Sequence, residues 1–304
     1  MSEERLNRYI VRAAGVSRRT ADEMIRRGRV TVGGRPATDP GALFDPGRRE
    51  VRIDGNAVVA AEDEKIYVMA YKPDNVVTTM KDKEGRRTAA SLVGDLAARV
   101  FPIGRLDYHT TGLLLFTNDG ELAYKLTHPR FGVEKTYVAK VMGVPTPGRL
   151  GILRRGLPIE GEMTNPAQVK LLEAREGKAW VSIRIAEGRY HQVRKMFDAI
   201  GHRVMKLRRT AVGPLELGDV EPGAWRYLTG KEVRELLSYV EEKEGEGRGR
   251  RMVTPGEMEA AQDRLARLRN RGPGRGAGGP GGAAGERKGP RQPKPSWKRR
   301  SGRQ

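Results

Sequence analysis

The sequence predicts an α+β fold: a small N-terminal α/β module, a larger domain around one mostly antiparallel sheet, and a disordered basic tail. Three observations predict it. Apolar residues near the N-terminus recur at helical spacing. Residues 66–240 mix short β-branched segments with helical ones, without regular βαβ alternation. After residue 240 the chain turns to Gly, Pro, Arg and Lys. The predicted boundaries are 1–60, 61–240 and 241–304.

The N-terminal module contains two predicted helices and a strand pair. The first helix has four apolar residues at helical spacing: Leu6, Tyr9, Ile10 and Ala13. Ser17 is a capping residue for the second helix, and Gly28 is a residue type that ends helices. Val30–Val32 runs into the two-residue turn signal at residues 33–34, and Val51–Ile53 supplies another strand.

The larger domain has six segments with the length and β-branched content of strands. They are 66–71, 113–117, 136–142, 168–172, 180–185 and 203–207. Helices are predicted over 121–126, 189–200 and 231–240. In the second of these helices four residues recur at helical spacing and are expected to face the core: Tyr190, Val193, Phe197 and Ile200.

The C-terminal segment, residues 241–304, contains few apolar side chains. Such a segment does not bury enough surface to offset the entropy lost on ordering, so disorder is predicted. Pro255–Asn270 has the pattern of one short helix, although an isolated helix of that length is marginal in water.

Charge and composition restrict the function classes. Lys and Arg outnumber Asp and Glu by 58 to 38, which gives a net charge of +20. This excess predicts a polyanionic partner, because cations that neutralise phosphates release condensed counterions. Charge alone does not separate nucleic acid from an anionic membrane. The absence of cysteine excludes disulfides, thiolate nucleophiles and Cys-ligated zinc.

The expected location is the cytoplasm. The first residues include Glu3 and Glu4 and lack the apolar core of a signal peptide. No stretch approaches the roughly 18 consecutive apolar residues of a membrane-spanning helix.

The most informative stretch is residues 104–120, GRLDYHTTGLLLFTNDG. It combines a polar loop, a continuous apolar strand and an Asn-Asp-Gly turn. A loop carboxylate beside a rigid buried strand, such as Asp107, is positioned like a catalytic group. The alternative is a surface Asp in a turn before a core strand.

This stretch resembles the signature of the RsuA/RluB/RluE/RluF family of rRNA pseudouridine synthases, G-R-L-D-x-x-(T/S)-x-G-L-L-L-x-(T/S)-x-D-G. The resemblance covers about residues 3–235, and it implies that Asp107 is the essential carboxylate. Residues 134–137 resemble a segment whose tyrosine, here Tyr137, lies against the target base. Residues 187–196 resemble a segment that makes Arg194 the basic partner of Asp107.

The resemblance also implies further substrate contacts. It assigns Leu207 to the pocket and identifies Lys72 with the family's strand-end Lys-Pro. Arg105 is expected to contact the substrate. From its place on the helix, Lys195 is expected either to be solvated or to contact a phosphate. Thr110 and Thr111 could bind the RNA, or they could brace the turn.

Isomerisation of uridine needs neither a metal nor an organic cofactor, because nothing is oxidised and no group is added. The carboxylate either attacks the nucleoside covalently or removes a sugar proton. Arg194 would keep Asp107 ionised, since a nearby cation favours the charged carboxylate. Tyr137 would stack on a uracil that has left the RNA stack.

The N-terminal module resembles an S4 RNA-binding domain over residues 14–19 and 25–34, with Gly33 in place of the usual Asn. The resemblance implies that four arginines contact phosphates and position the RNA: Arg18, Arg19, Arg26 and Arg27. The alternative is a solvated basic helix face.

These observations predict a monomeric pseudouridine synthase with a basic tail like that of the RluB type, which modifies 23S rRNA. The substrate is either free rRNA or an assembling ribosomal particle. One alternative is a 16S rRNA synthase, and another is a non-catalytic S4-type RNA-binding or ribosome-assembly protein. A basic membrane-surface protein is disfavoured, because the chain lacks an amphipathic anchor.

Overall fold

The computed structural model describes residues 3–60, 64–246 and 254–270. The chain divides after Lys65 into an N-terminal unit and a C-terminal unit. Among the described residues, no helix is both long enough and apolar enough to span a membrane.

The N-terminal unit packs two helices against small sheets. Its elements are β1 (Glu4–Arg5), α1 (Leu6–Ala14), α2 (Arg18–Arg26), β2 (Val30–Val32), β3 (Arg35–Pro36), β4 (Leu43–Phe44), β5 (Val51–Ile53) and β6 (Asn56–Val58). The Ser17 hydroxyl caps α2 by accepting a hydrogen bond from the Thr20 backbone N–H at 3.0 Å. Gly33 and Gly34 both have positive φ and close the tight turn between β2 and β3. The two helices and the turn are where the sequence predicted them.

The C-terminal unit is larger. Its strands are β7 (Tyr67–Lys72), β8 (Phe101–Ile103), β9 (Thr110–Thr117), β10 (Lys135–Met142), β11 (Pro158–Ile159), β12 (Glu162–Met163), β13 (Gln168–Arg175), β14 (Lys178–Ile185), β15 (Val204–Val212), β16 (Leu215–Glu216) and β17 (Trp225–Tyr227). Its α-helices are α3 (Gly120–Thr127), α4 (Pro147–Arg155), α5 (Gln192–Ala199), α6 (Gly230–Glu246) and α7 (Pro255–Asn270). Short 3₁₀ helices span Ala89–Leu92 and Pro129–Phe131.

One nine-stranded sheet organises this unit, in the order β13-β14-β10-β15-β9-β7-β17, with β16 on β15 and β8 on β9. Every pairing in it is antiparallel except that of β9 with β15, which is parallel. The predicted fold class, α+β around one mostly antiparallel sheet, is confirmed.

Hydrophobic cores cover both faces of the central strand β9. Leu114 and Phe116 belong to the core that also contains α4 and α5. Leu113 and Leu115 belong to a second core, which is covered by α3 and α6. Successive side chains of a strand point to opposite faces, so a strand buried on both sides is a continuous apolar run. The predicted strand 113–117 has this composition, but β9 begins three residues earlier, at Thr110.

The prediction that Tyr190 faces the core is wrong, because its side chain is 70% exposed. The helix begins only at Gln192, after His191, whose φ of 55° lies in the left-handed region. Helical periodicity therefore does not extend back to residue 190. Val193, Phe197 and Ile200 are buried as predicted.

The prediction of disorder from residue 241 is wrong for the described residues 241–246, whereas the short helix indicated by the pattern of Pro255–Asn270 is present. Helix α6 continues to Glu246, and Pro255–Asn270 forms α7. Helix α7 is not isolated, since Leu265 is only 7% exposed and joins the core of α4 and α5. Tertiary packing of this kind stabilises helices that are marginal in water. The remainder of the predicted tail, 247–253 and 271–304, lies outside the described residues.

Candidate active site

Asp107 lies in the loop between β8 and β9, and this loop is held on both sides of the carboxylate. On one side, Thr78 Oγ1 donates a hydrogen bond to the Leu106 carbonyl at 2.7 Å and accepts one from the Leu106 N–H at 3.1 Å. On the other, the Thr110 N–H donates to the Asp107 carbonyl at 3.0 Å. Thr110 Oγ1 lies 3.5 Å from Asp107 Oδ2. These bonds fix the backbone from which the carboxylate projects.

Lys72 is fully buried beneath this loop. Its Nζ donates hydrogen bonds to the backbone carbonyls of Pro73 at 3.1 Å, Tyr108 at 3.2 Å and Thr110 at 2.9 Å. Burial lowers the pKa of Lys72 to about 8, against the opposing attraction of Asp74 and Asp107. The predicted substrate contact is therefore not supported, because all three ammonium donors bind backbone carbonyls, one in the Asp107 loop and two at the adjoining ends of β7 and β9. Lys72 positions the segment that carries Asp107.

A cavity of about 380 Å³ opens beside Asp107. Predicted site residues that line it are Arg105, Asp107, Thr110, Tyr137 and Leu207. Sheet register brings them together: Tyr137 of β10 is paired with Arg209 of β15, and Leu207 of β15 is paired with Thr110 of β9. The parallel pairing of β9 with β15 thus places Leu207 of β15 against the Asp107 loop.

His191 lies beside Asp107, although the sequence did not predict it as a site residue. Its Nε2 lies 3.6 Å from Asp107 Oδ1. The imidazole is stacked on the exposed ring of Tyr190, with centroids 3.9 Å apart and planes inclined by 16°. Protonated His191 would carry a positive charge beside the carboxylate. The available signal was its position in the 187–196 segment, three residues before Arg194.

The prediction that Arg194 pairs with Asp107 is not supported by this structure. Arg194 Nη2 donates to the His109 carbonyl at 2.8 Å, and Nη1 lies 3.5 Å from the Val204 carbonyl. Its guanidinium lies outside the cavity, whereas His191 lines it. Arg194 therefore contacts the backbone of the Asp107 loop, two residues beyond the carboxylate.

Lys135 and Arg209 also line the cavity. Arg209 is buried and donates from Nε to the Leu113 carbonyl at 2.8 Å. Lys135 donates from Nζ to the Val133 carbonyl at 2.8 Å. Burial, together with repulsion from Arg209, lowers the pKa of Lys135 to about 8. Neither residue was predicted from the sequence, although Lys135 belongs to the segment that identified Tyr137.

The other predicted contacts lie apart from the cavity. Thr111 Oγ1 donates to the Leu207 carbonyl at 3.4 Å, so it braces the β9–β15 pair. Lys195 Nζ binds Glu160 Oε1 at 2.7 Å. In the N-terminal unit four arginines of α2 and its C-terminus are exposed, as RNA contact requires: Arg18, Arg19, Arg26 and Arg27. The described residues contain no group of three or more His, Cys, Asp or Glu side chains arranged to hold a metal ion.

Comparisons with known proteins identify relatives along most of the chain. Residues 66–199 match the RNA pseudouridylate synthase family, and residues 4–49 match the S4 domain. A Bacillus subtilis protein named ribosomal large subunit pseudouridine synthase B is 42% identical over 235 residues, 77% of this chain and 95% of the relative. A Salmonella typhi protein of the same name is 35% identical, covering 78% of this chain and 84% of the relative. A crystal structure titled as a pseudouridylate synthase has a TM-score of 0.56 at 30% identity, over 76% of this chain and 99% of the other.

Proposed function

The chain belongs to the family of RNA pseudouridylate synthases, and from this premise we propose that it isomerises a uridine of large-subunit (23S) ribosomal RNA, with Asp107 as its catalytic carboxylate. One observation carries the proposal. The Asp107 carboxylate, the ring of Tyr137 and the side chain of Leu207 line a single cavity. A concave site with a few convergent polar groups and apolar walls is suited to one flipped nucleobase.

The reaction balances without any added reagent. The N1–C1′ bond breaks, the uracil turns, and a C5–C1′ bond forms. The proton of C5 leaves, and N1 gains a proton. Asp107 would start this sequence either as a nucleophile or as a base, and both roles require the ionised carboxylate. No metal or organic cofactor has a step to perform in this scheme.

Each neighbour of Asp107 has a role that follows from its position. Tyr137 offers a flat face for stacking on the extruded uracil and a hydroxyl for the proton lost from C5. Leu207 supplies an apolar wall beside the loop. His191, when protonated, would stabilise the ionised form of Asp107 at 3.6 Å, the role that the sequence assigned to Arg194. Arg105, exposed at the cavity, would contact the RNA backbone.

The choice of large-subunit rRNA rests on the names of the Bacillus and Salmonella relatives. The S4 module would position this RNA through the exposed arginines of α2, by phosphate contacts that carry no sequence information. We place the reaction in the cytoplasm, with a monomer acting on free rRNA or on an assembling ribosomal particle.

The test is tritium release from 23S rRNA labelled at C5 of uridine. Asp107→Ala is expected to lower the rate by 10²–10⁴-fold or more, on the order of what one positioned acid or base contributes. The matched control is Asp219→Ala, which removes an exposed carboxylate outside the cavity and should leave the rate unchanged. Unlabelled 16S rRNA serves as competitor, and labelled 16S rRNA is assayed separately. Full activity of Asp107→Ala would refute the assignment, and release from 16S rRNA alone would move the substrate to the small subunit.

A further inference from the structure

Among the described residues, one face of the sheet is left open next to the Asp107 loop. On β10, Tyr137, Ala139 and Val141 are buried, so the alternate residues Lys140 and Met142 project from the opposite face. Helices α3 and α6 cover the corresponding face of β7 and β9. The same face of β14, β10 and β15 instead lines an open groove of about 1590 Å³.

The groove is strongly basic. Seven of its lining residues are Lys or Arg, and three are Asp or Glu. Lys140 and Lys206 are directly opposite each other in the β10–β15 register. Like charges in that relation destabilise a strand pair. Within the described part of the chain, neither of these two lysines forms an ion pair. The repulsion between Lys140 and Lys206 lowers the stability of the sheet, and an anion bound between them would offset it.

Aromatic rings lie among these cations. Trp180 is opposite Lys140 on the other neighbouring strand, so Trp180, Lys140 and Lys206 form a row across three strands. Lys140 Nζ lies 5.4 Å from the centroid of the Trp180 ring, and Arg208 lies 4.9 Å from that of Tyr71. Interleaved cations and rings on a sheet are typical of surfaces that contact single-stranded nucleic acid.

Two residues that line the groove lie close to Asp107. Leu207 lines both the cavity and the groove. His109, two residues after Asp107, lines the groove. The cavity and the groove therefore share Leu207 and adjoin at the Asp107 loop.

We propose that this groove, centred on Lys140 and Lys206, binds the phosphate backbone of the substrate RNA beside the target uridine, as a second RNA surface in addition to the cavity and the S4 module. The inference rests on the proposed function for the identity of the RNA. By charge, the groove matches the RNA backbone rather than the Arg- and Lys-rich segment 271–304. The phosphate contacts position the RNA and add affinity without reading its sequence.

The test compares two charge-removing double variants of the full chain. Lys140→Gln/Lys206→Gln removes two groove cations, and Lys231→Gln/Arg234→Gln removes two exposed cations of α6, outside the groove. Filter binding of transcribed 23S rRNA is measured over a range of KCl concentrations. Each lost phosphate contact reduces the slope of log K against log [KCl] by about 0.7–0.9. The groove variant should lose about 1.5 from the slope, and the control much less.

Activity separates positioning from chemistry. The groove variant should raise the KM for rRNA and keep kcat, since neither lysine lines the cavity. Thermal unfolding confirms its fold, and Lys178→Gln/Arg203→Gln provides a second groove pair on exposed residues. Equal slopes for both groove pairs and the control would overturn the proposal. Binding does not require turnover, so a reduced slope with no tritium release by the unmodified chain would overturn the proposed function and leave the groove standing.

Discussion

Replacing Lys72 with Met tests whether a buried ammonium holds the Asp107 loop in its active geometry. Methionine keeps an unbranched apolar stem and removes all three donors. The ammonium donates to three carbonyls at 2.9–3.2 Å, and a hydrogen bond to a charged group contributes about 1.5–3 kcal/mol. Burying the charge opposes this: a pKa lowered from 10.5 to about 8 corresponds to roughly 3 kcal/mol. Three such bonds contribute about 4.5–9 kcal/mol, so the net loss of unfolding free energy in Lys72→Met is about 1.5–6 kcal/mol.

The effect on catalysis follows from which carbonyls lose their donor. Those of Tyr108 and Thr110 lie one and three residues after Asp107. A displacement of a reacting group by about 1 Å lowers a rate by about 10²-fold. We expect single-turnover tritium release by Lys72→Met to fall by about this factor, with KM for rRNA unchanged. Urea unfolding measures the stability of the same protein.

Lys125→Met is the matched control. Lys125 lies in exposed ion pairs with Glu121 at 3.4 Å and Glu244 at 2.8 Å. Pairs of this kind contribute less than about 1 kcal/mol, and Lys125 does not line the cavity. A Lys72→Met protein with raised KM and normal kcat would refute the positioning role and restore the direct substrate contact that the sequence predicted.

Lys72 also predicts a pH dependence. Its folded-state pKa, about 8, lies below its ordinary value of 10.5. Below pH 8 the amine is protonated in both states. Between pH 8 and 10.5 the unfolded state binds more protons, so this group makes the unfolding free energy rise with pH. Lys72→Met lacks this rise, and its deficit relative to the unmodified chain should widen from pH 8 to 10.5.

Two further changes test the sheet and the start of helix α6. Gly112 has a φ of +103°, and a Cβ there would lie 2.1 Å from the Arg209 carbonyl oxygen; Gly112→Ala should lower the unfolding free energy by about 3 kcal/mol. Gly120→Ala, with no atom within 4 Å of its added Cβ, should be neutral or slightly stabilising in the same urea titration. The Arg226 guanidinium lowers the pKa of Glu232 from 4.5 to about 2. Glu232→Gln should therefore lower the unfolding free energy at pH 7 by about 1–2 kcal/mol. This figure is reduced from the value that the pKa shift alone gives, because the ion pair is partly exposed. The contribution of the ion pair is present above pH 4.5 and is lost as the pH falls to about 2. The unfolding free energies of the unmodified chain and Glu232→Gln should therefore become equal near pH 2. A difference that persists at pH 2 would contradict the ion-pair explanation.

Local patterns predicted the local structure well. Length and β-branched content predicted a strand over 136–142, and β10 spans Lys135–Met142. Ser17 predicted the start of α2 because capping is a contact between residues three apart. Asp107, Tyr137 and Leu207 were identified because each lies in a segment that resembles a family pattern, and the structure places all three around one cavity.

The direction of side chains was harder to predict from the sequence than the positions of helices and strands. Successive residues of a helix point about 100° apart, so the first residue of α5 decides which side chains face Asp107. The sequence placed the helix start at 189, and the structure places it at Gln192. His191 consequently lies in a left-handed turn with its imidazole beside Asp107, and Arg194 reaches the His109 carbonyl instead.

Long-range pairing sets the remaining geometry, and local sequence contains no signal for it. Gly112 lies between Lys72 of β7 and Arg209 of β15, and its missing side chain lets the Arg209 backbone approach. That approach makes the only parallel pairing of the nine-stranded sheet possible, and with it the contact of Leu207 with Thr110. Gly112 is therefore required by the geometry around Asp107 and not by the strand alone. A substitution that leaves β9 apolar but adds a Cβ at position 112 should separate Leu207 from the Asp107 loop.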